Sequence, residues 1–427
     1  MSEPAVRHAD PIAWLGDRLR EPYVQLVASQ LLVGAVALAA NIMMVRALTP
    51  THRGEVALML QVVYLATQAL LLGTERSFVA AYHEAPPAAA VRAYGRLLIL
   101  PFGAGAAIAA GYILVADEPG PAIVVLLAGY AMLEAAGLAS RAVAIAIGRV
   151  HDFLTSRVIE SVLLLAAMAV LCTARVDSPA LWLAAYLIAC LVPTVGYLVF
   201  WLRLPGGTLD DQNRLVRRQG AALFPAAISN MAMLRSDRLA LPVLASTTAL
   251  GLYASVATMT ELLAWPLRAY ADSRLGRWRQ AHREGRLRSR PIIAATVLYV
   301  LVVAPIAAGC LYLLIVPVFG HAYAPAKAVV LPLVAAAGLY AVSRIILGLL
   351  VARGHGTLVS AAEIAGFAVS FTAYVLLIPG HGIAGAAWGS LLGYGAGLLF
   401  ALAAARFARA PLAARAHLAA PAEGGAR

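Results

Sequence analysis

The chain alternates long apolar stretches with short polar breaks that are rich in proline and glycine. A span needs roughly 20 apolar residues to cross a bilayer as a helix, and backbone polar groups in lipid must be satisfied internally, which favours helices throughout. The pattern therefore predicts an all-α polytopic membrane protein with no strands. The twelve predicted spans are 22–48, 55–83, 93–116, 121–147, 153–174, 179–202, 219–243, 249–273, 291–318, 326–351, 357–378 and 382–405.

The basic residues sort onto one side when every other break is assigned to the cytoplasm. Of the 33 Lys and Arg residues, 23 fall in the segments assigned to the inside, 4 in those assigned to the outside and 6 within spans. Short cytoplasmic loops are enriched in these residues. We therefore predict a multi-pass protein of the bacterial cytoplasmic membrane with both termini in the cytoplasm.

Composition excludes several other classes. Hydrophobic residues make up 62% of the chain and charged residues 13%, against about 25% charged residues in soluble domains. The net charge of +12 follows the topology rule, so we do not expect nucleic acid as a partner. Cys172, Cys190 and Cys310 all lie in apolar spans, and their spacing indicates neither a disulfide framework nor a metal site. No nucleotide-binding P-loop occurs, and we expect no cofactor.

The two halves form a weak internal repeat. The break 49–54 matches 246–251 at an offset of 197, and Glu160 matches Glu363 at an offset of 203. Two lobes in the same orientation would place a substrate site between them. The predicted organisation is a cytoplasmic segment 1–21, an N-terminal six-helix lobe 22–202, a cytoplasmic linker 203–218, a C-terminal six-helix lobe 219–405 and a cytoplasmic tail 406–427.

Several short motifs resemble those of the bacterial polysaccharide-biosynthesis flippases, which transport lipid-linked oligosaccharides. The resemblance runs from about residue 22 to residue 406 and places the chain in the multidrug/oligosaccharidyl-lipid/polysaccharide exporter superfamily. No single motif is strong, but they follow one another in the family's order. The matching segments are Arg46–Glu55 before span 2, Asn230 with Asp237-Arg238 in span 7, Leu250–Ala254 in span 8, Phe319–Ala326 between spans 9 and 10, and Gly382–Trp388 in span 12.

The resemblance implies a flippase for polyprenyl-diphosphate-linked oligosaccharide that works by alternating access around a central cavity. Its partners would be the lipid-linked substrate and membrane lipids, with H+ or Na+ as coupling ions and a polysaccharide polymerase as a further partner that the sequence leaves open. Intramembrane charges are costly in lipid and should face a cavity or a partner. The candidate substrate-binding residues are Arg238, Arg235, Arg344, Arg141, Arg46 and Asn230, and the candidate ion-coupling residues are Glu261, Glu363 and Asp237.

For each of these charges the sequence also allows a structural role. Arg235 and Arg238 lie three positions apart on one helix face and repel each other unless an anion sits between them. Arg344 has no acid within a helical turn, which favours a ligand role. Arg141 either pairs with Glu134 or reaches the cavity. Arg46 either guards the outer mouth or anchors the helix at the interface, and we expect Arg157 and Glu160 to form a simple ion pair.

Two other functions compete with the flippase. A multidrug/cation antiporter of the same fold needs an acidic pocket with an acid in the first span, whereas span 1 offers Asn41 and no acid. A membrane glycosyltransferase or ligase needs a sizeable outside loop with paired carboxylates, and every outside break is short. We therefore expect a transporter and not an enzyme.

Overall fold

A computed structural model describes residues 22–82, 84–98, 121–207 and 209–408, and these residues are almost entirely helical, without strands. Helices occupy the described part of every predicted span, and span 3 is described only over 93–98. The N-terminal helices are α1 Pro22–Ala47, α2 Pro50–Leu71, α3 Thr74–Ala81, α4 at 87–98, α5 Pro121–Ala146, α6 Val150–Thr173 and α7 Pro179–Arg203. The C-terminal helices are α8 Asn213–Leu244, α9 Thr247–Glu261, α10 Trp265–Arg283, α11 Ser289–Leu314, α12 Val330–Ala352 and α13 Gly356–Phe407.

The described residues contain six helices that are long and apolar enough to cross a membrane. One of them, α13, has 52 residues and is long enough for two crossings. Gly382 interrupts it with a φ of 53°, a left-handed conformation that glycine adopts without steric cost. This interruption lies in the predicted break between spans 11 and 12.

The other predicted spans are helical but less regular. Span 2 is divided between α2 and α3 at Leu72 and Gly73, and span 8 is divided between α9 and α10. Transporter helices that are interrupted in corresponding positions of two repeats commonly line the substrate site. Helix α8 begins at Asn213 and not at residue 219, so the linker between the lobes is shorter than predicted.

Each lobe packs around its own helices, and the lobes meet along spans 2, 7 and 8. Helix α1 packs against α6 in the N-terminal lobe, whereas α13 packs against α8 and α12 in the C-terminal lobe. Between the lobes, α2 packs against α9, and α3 packs against α8. One buried apolar cluster contains residues of both lobes, among them Val63 and Val256. The two lobes therefore share a hydrophobic core at their seam.

The 197-residue repeat brings its matching residues into direct contact at this seam. The hydroxyls of Thr51 and Thr248 lie 2.8 Å apart. A methyl group added at Gly54 would overlap the Thr247 carbonyl, and one added at Gly251 would overlap the Pro50 carbonyl. Only glycines allow the first turns of α2 and α9 to approach so closely. This contact, which we call the glycine seam, closes the lobes at the side predicted to face outward.

Candidate functional site

A cavity of about 650 Å³ lies between the lobes, mostly against helices of the C-terminal lobe. Among the residues that the structure describes, its charged lining consists of four arginines and two acids, which leaves an excess of two positive charges in formal terms. Tyr340, Tyr394 and Trp265 add aromatic surface. The charged lining residues are Arg141, Arg235, Arg238, Arg268, Asp237 and Glu261.

The glutamate of α9 holds the two arginines of α8 together. Arg238 donates to Glu261 Oε1 through Nη2, and Arg235 donates to the same oxygen through Nη1 at 3.2 Å. The sequence predicts that Arg235 and Arg238 need an anion between them, and Glu261 supplies it from another helix. The Nε atoms of both arginines are buried and have no hydrogen-bond partner among the described residues. Glu261 therefore does not satisfy every donor of the two arginines.

Asp237 faces a separate network of hydroxyl groups. Its carboxylate accepts a hydrogen bond from the Tyr253 hydroxyl at 2.6 Å and one from the backbone N–H of Arg238 at 2.8 Å. The Ser390 hydroxyl lies 3.2 Å from that of Tyr253 and 2.9 Å from that of Tyr374. Three acids are predicted to couple ions. Among the described residues, Asp237 is the one of the three that forms no salt bridge with an arginine side chain. The side chains in this network offer hydroxyl oxygens, and small hard cations prefer oxygen ligands.

Arg141 and Arg268 present exposed side chains to the cavity from opposite lobes. Neither forms an ion pair with any side chain that the structure describes; that of Asp272, one turn after Arg268, lies outside this set. Of the two alternatives for Arg141, the structure favours the cavity. Glu134 contacts the thiol of Cys190 at 3.6 Å and does not pair with Arg141.

Arg344 and Glu363 bind each other at 2.6 Å, and neither lines the cavity. Arg344 has no acid within a turn of its own helix, as the sequence indicates, but α13 supplies an acidic partner that the sequence reasoning missed. The Glu363 side chain is only 6% exposed. A buried, paired carboxylate of this kind is better explained as one half of an ion pair than as a coupling site.

The remaining predicted residues fall at the edges of the site. Arg46 donates to the Val318 carbonyl at 3.0 Å and is exposed, which favours the anchoring role. The side chain of Asn230 lies outside the described residues. Arg157 and Glu160 form the predicted ion pair at 2.7 Å.

Two residues near the site were not singled out by the sequence. The Tyr64 ring lies under Arg235, with 5.5 Å between the Arg235 Cζ and the ring centroid, so a residue of the N-terminal lobe stacks on an arginine of the other lobe. Arg53 falls in a predicted outside break, yet it is only 3% exposed. Its position in the 49–54 repeat was the one available signal that it lies at the seam.

Comparison with known proteins relates the fold to transporters. No family model and no curated protein matches the chain. The structure is similar to an inward-facing multidrug resistance MATE family transporter of the MOP superfamily, with a TM-score of 0.69, 12% identity, and coverage of 93% of this chain and 100% of that one. It is also similar to the lipid II flippase MurJ in an inward closed conformation, with a TM-score of 0.67, 9% identity, and coverage of 90% and 87%.

A third similar structure is a MOP superfamily transporter from Pyrococcus furiosus whose binding pocket is described as having reverse polarity. Its TM-score is 0.61 at 12% identity, and the match covers 91% of this chain and 94% of that one. At such identities the similarity shows the fold. The chain therefore has the multi-pass membrane fold of the MOP superfamily transporters, built from two pseudo-symmetric helical bundles.

Proposed function

We propose that the chain flips a polyprenyl-diphosphate-linked oligosaccharide across the cytoplasmic membrane for surface polysaccharide biosynthesis. The observation that carries this proposal is the excess of arginine over acid in the cavity between the lobes. Guanidinium groups bind phosphate oxygens in a bidentate manner, and they keep their charge in a poorly hydrated site. Arg238 and Arg235 would hold the diphosphate, and Arg141 and Arg268 would extend the cationic surface toward the head group.

The same fold also serves multidrug transporters, so the cavity charge must discriminate between the two functions. An organic cation needs an excess of acid, whereas the described lining has two more arginines than acids. Asn41 of the first span donates to the Ser255 carbonyl at 3.0 Å and accepts from Arg53 at 2.7 Å. The first span therefore offers an amide bound to a cation where the antiporter would need an acid.

The geometry supports alternating access. The glycine seam closes the lobes on the side predicted to be outward. The cavity runs along α9 and α10 from Ala257 to Ser273, toward the side predicted to be cytoplasmic. A rocking motion that separates Gly54 from Gly251 would expose the cavity to the other side.

Coupling to an ion gradient would act through Asp237. Glu261 already neutralises two arginines and Glu363 is paired with Arg344, which leaves Asp237 as the predicted acid bound to hydroxyl groups. Protonation of Asp237, or binding of Na+ to it, would remove a negative charge next to Arg238. The charge state of Asp237 would therefore change how firmly Arg238 holds a diphosphate.

The proposal is tested by deleting the gene and complementing the strain. We expect lipid-linked oligosaccharide to accumulate on the inner leaflet and surface polysaccharide to disappear, with both effects reversed by the wild-type chain. Arg238→Ala should fail to complement at normal protein levels, and Arg238→Lys should complement in part, because lysine keeps the charge but not the fork of donors. Arg279→Ala is the matched control, since Arg279 is exposed on α10 away from the cavity lining.

Normal polysaccharide in the deletion strain, together with altered sensitivity to cationic drugs, would support the antiporter instead. Full complementation by Arg238→Ala would remove this residue from the site.

A further inference from the structure

Arg53 is a buried cation without a counter-charge among the described residues. Its Nη2 donates to the Asn41 side-chain oxygen at 2.7 Å, while Nε and Nη1 are buried and make no hydrogen bond. No described carboxylate lies within salt-bridge distance of Arg53, although burial of a charge is costly unless the charge is paired and hydrogen-bonded. Donors left unsatisfied in a buried position need an explanation such as a ligand that is bound in another state.

The surroundings of Arg53 favour an anion. Arg53 lies in the first turn of α2, next to Gly54 of the glycine seam. The N-termini of α2 and α9 meet there, and the hydroxyls of Thr51 and Thr248 are in contact. Backbone N–H groups at helix N-termini, together with the helix dipole, attract anions. The two N-termini meet where Thr51 and Thr248 are exposed, whereas the Arg53 guanidinium is buried behind the same turn of α2, against Asn41.

This region of the seam is close to the cavity. Ser255 of α9 lies two residues before Ala257, which lines the cavity. Asn41 links the two regions, because it binds Arg53 in one lobe and the Ser255 carbonyl in the other. An anion that left Arg238 toward the outer side would therefore meet Arg53 next.

We propose that Arg53, beside Asn41 at the seam of α2 and α9, forms a second phosphate-binding site on the outward path. The site is covered while Gly54 and Gly251 touch and is completed by the phosphate when the lobes separate. This inference rests on the proposed function and adds a release position to it. The ligand chemistry is a phosphate or diphosphate group, either on a lipid or free.

The test measures diphosphate binding to the full chain in nanodiscs. In this chain the cavity site at Arg238, called the inner site, is weakened and the glycine seam is opened. Arg238→Gln weakens the inner site, and Gly251→Ala opens the seam because its methyl group would overlap the Pro50 carbonyl. A parallel sample carries Thr51→Cys and Thr248→Cys, and failure of these two cysteines to form a disulfide verifies that the seam is open. If the disulfide still forms, Gly54→Ala is used in place of Gly251→Ala. The probe is inorganic diphosphate, measured by calorimetry.

In this background we expect Arg53→Gln to weaken diphosphate binding about tenfold, the loss typical of one charge-assisted hydrogen bond. Arg53→Lys should give an intermediate affinity. Arg175→Gln, an exposed arginine on the same predicted side, should leave the affinity unchanged. A graded series of this kind is not produced by misfolding, which would remove the binding of all Arg53 variants equally.

The outcomes separate the second site from the proposed function. If Arg53→Gln leaves the affinity of the open background unchanged, the second site is overturned. The proposed function would still stand in that case, provided that Arg238→Gln alone weakens binding to the chain with the closed seam. No effect of Arg238→Gln would instead count against the proposed function. Nanodiscs that contain undecaprenyl diphosphate separate the sources: competition with the free probe supports a lipid-borne phosphate, and its absence supports the free anion.

Discussion

Two clusters of the C-terminal lobe consist of the same residue types, arginine and glutamate, but differ in charge balance and in position relative to the cavity. Arg235 and Arg238 share Glu261 at the wall of the cavity, and the Glu261 side chain is 26% exposed. Arg344 and Glu363 form a pair between α12 and α13; neither lines the cavity, although Arg344 lies over the ring of Tyr340, which does. The first cluster has two cations for one anion, and the second has one of each. An intramembrane arginine is therefore a ligand candidate only where the local charge is unbalanced and a cavity adjoins it.

The largest effect expected from this comparison is on stability. Arg344→Ala removes the arginine that pairs with the buried Glu363 carboxylate, and such a change typically costs about 3–5 kcal/mol. We expect a clear fall in the unfolding temperature of the detergent-purified protein. Replacing both partners with apolar residues, as Arg344→Met with Glu363→Leu, should restore stability and transport. If the double variant is stable but does not transport, Arg344 has a substrate role after all.

A smaller effect is expected from the cavity cluster. Glu261→Gln raises the formal charge of the lining by one without removing an arginine. With an effective dielectric constant near 20, a unit charge within about 10 Å of the diphosphate corresponds to more than about a tenfold change in affinity. We therefore expect tighter diphosphate binding, measured by calorimetry, together with slower turnover because release is hindered. Glu284→Gln is the control, since Glu284 lies beyond the end of α10, and unchanged or weaker binding in Glu261→Gln would contradict the charge argument.

Asp237→Asn tests coupling within the same region. Asparagine can still accept from the Tyr253 hydroxyl, so the fold should change little, whereas loss of the negative charge next to Arg238 should tighten diphosphate binding. The variant carries no charge to be neutralised. Transport in proteoliposomes should therefore lose its dependence on the imposed H+ or Na+ gradient while gradient-free exchange of substrate between leaflets continues. A variant that responds to the gradient like the wild type would place the coupling site elsewhere.

The sequence predicts the helices well and the partners poorly, for a physical reason. Lipid leaves the backbone no alternative to helix, so the span pattern follows from hydropathy alone. The partner of an arginine depends on how the helices pack. Glu363 is 19 positions from Arg344, and Glu261 is 23 from Arg238, so helical periodicity could not connect them. The repeat carries one further signal, because it matches the break that contains Thr51 with the break that contains Thr248, and these two residues are in contact.

The smallest effect should come from the arginine that faces the C-terminal cluster across the cavity. Arg141 is exposed, and no described side chain pairs with it, so its contribution to diphosphate binding is a long-range attraction that salt screens. Arg141→Gln should weaken binding by a few-fold at low ionic strength, and the difference should vanish at about 1 M salt, where the Debye length is about 3 Å. Arg203→Gln, an exposed arginine at the end of α7, should have no effect in either condition. A loss that persists at high salt would instead show that Arg141 contacts the diphosphate directly, which would divide the phosphate site between the two lobes and link its formation to their closure.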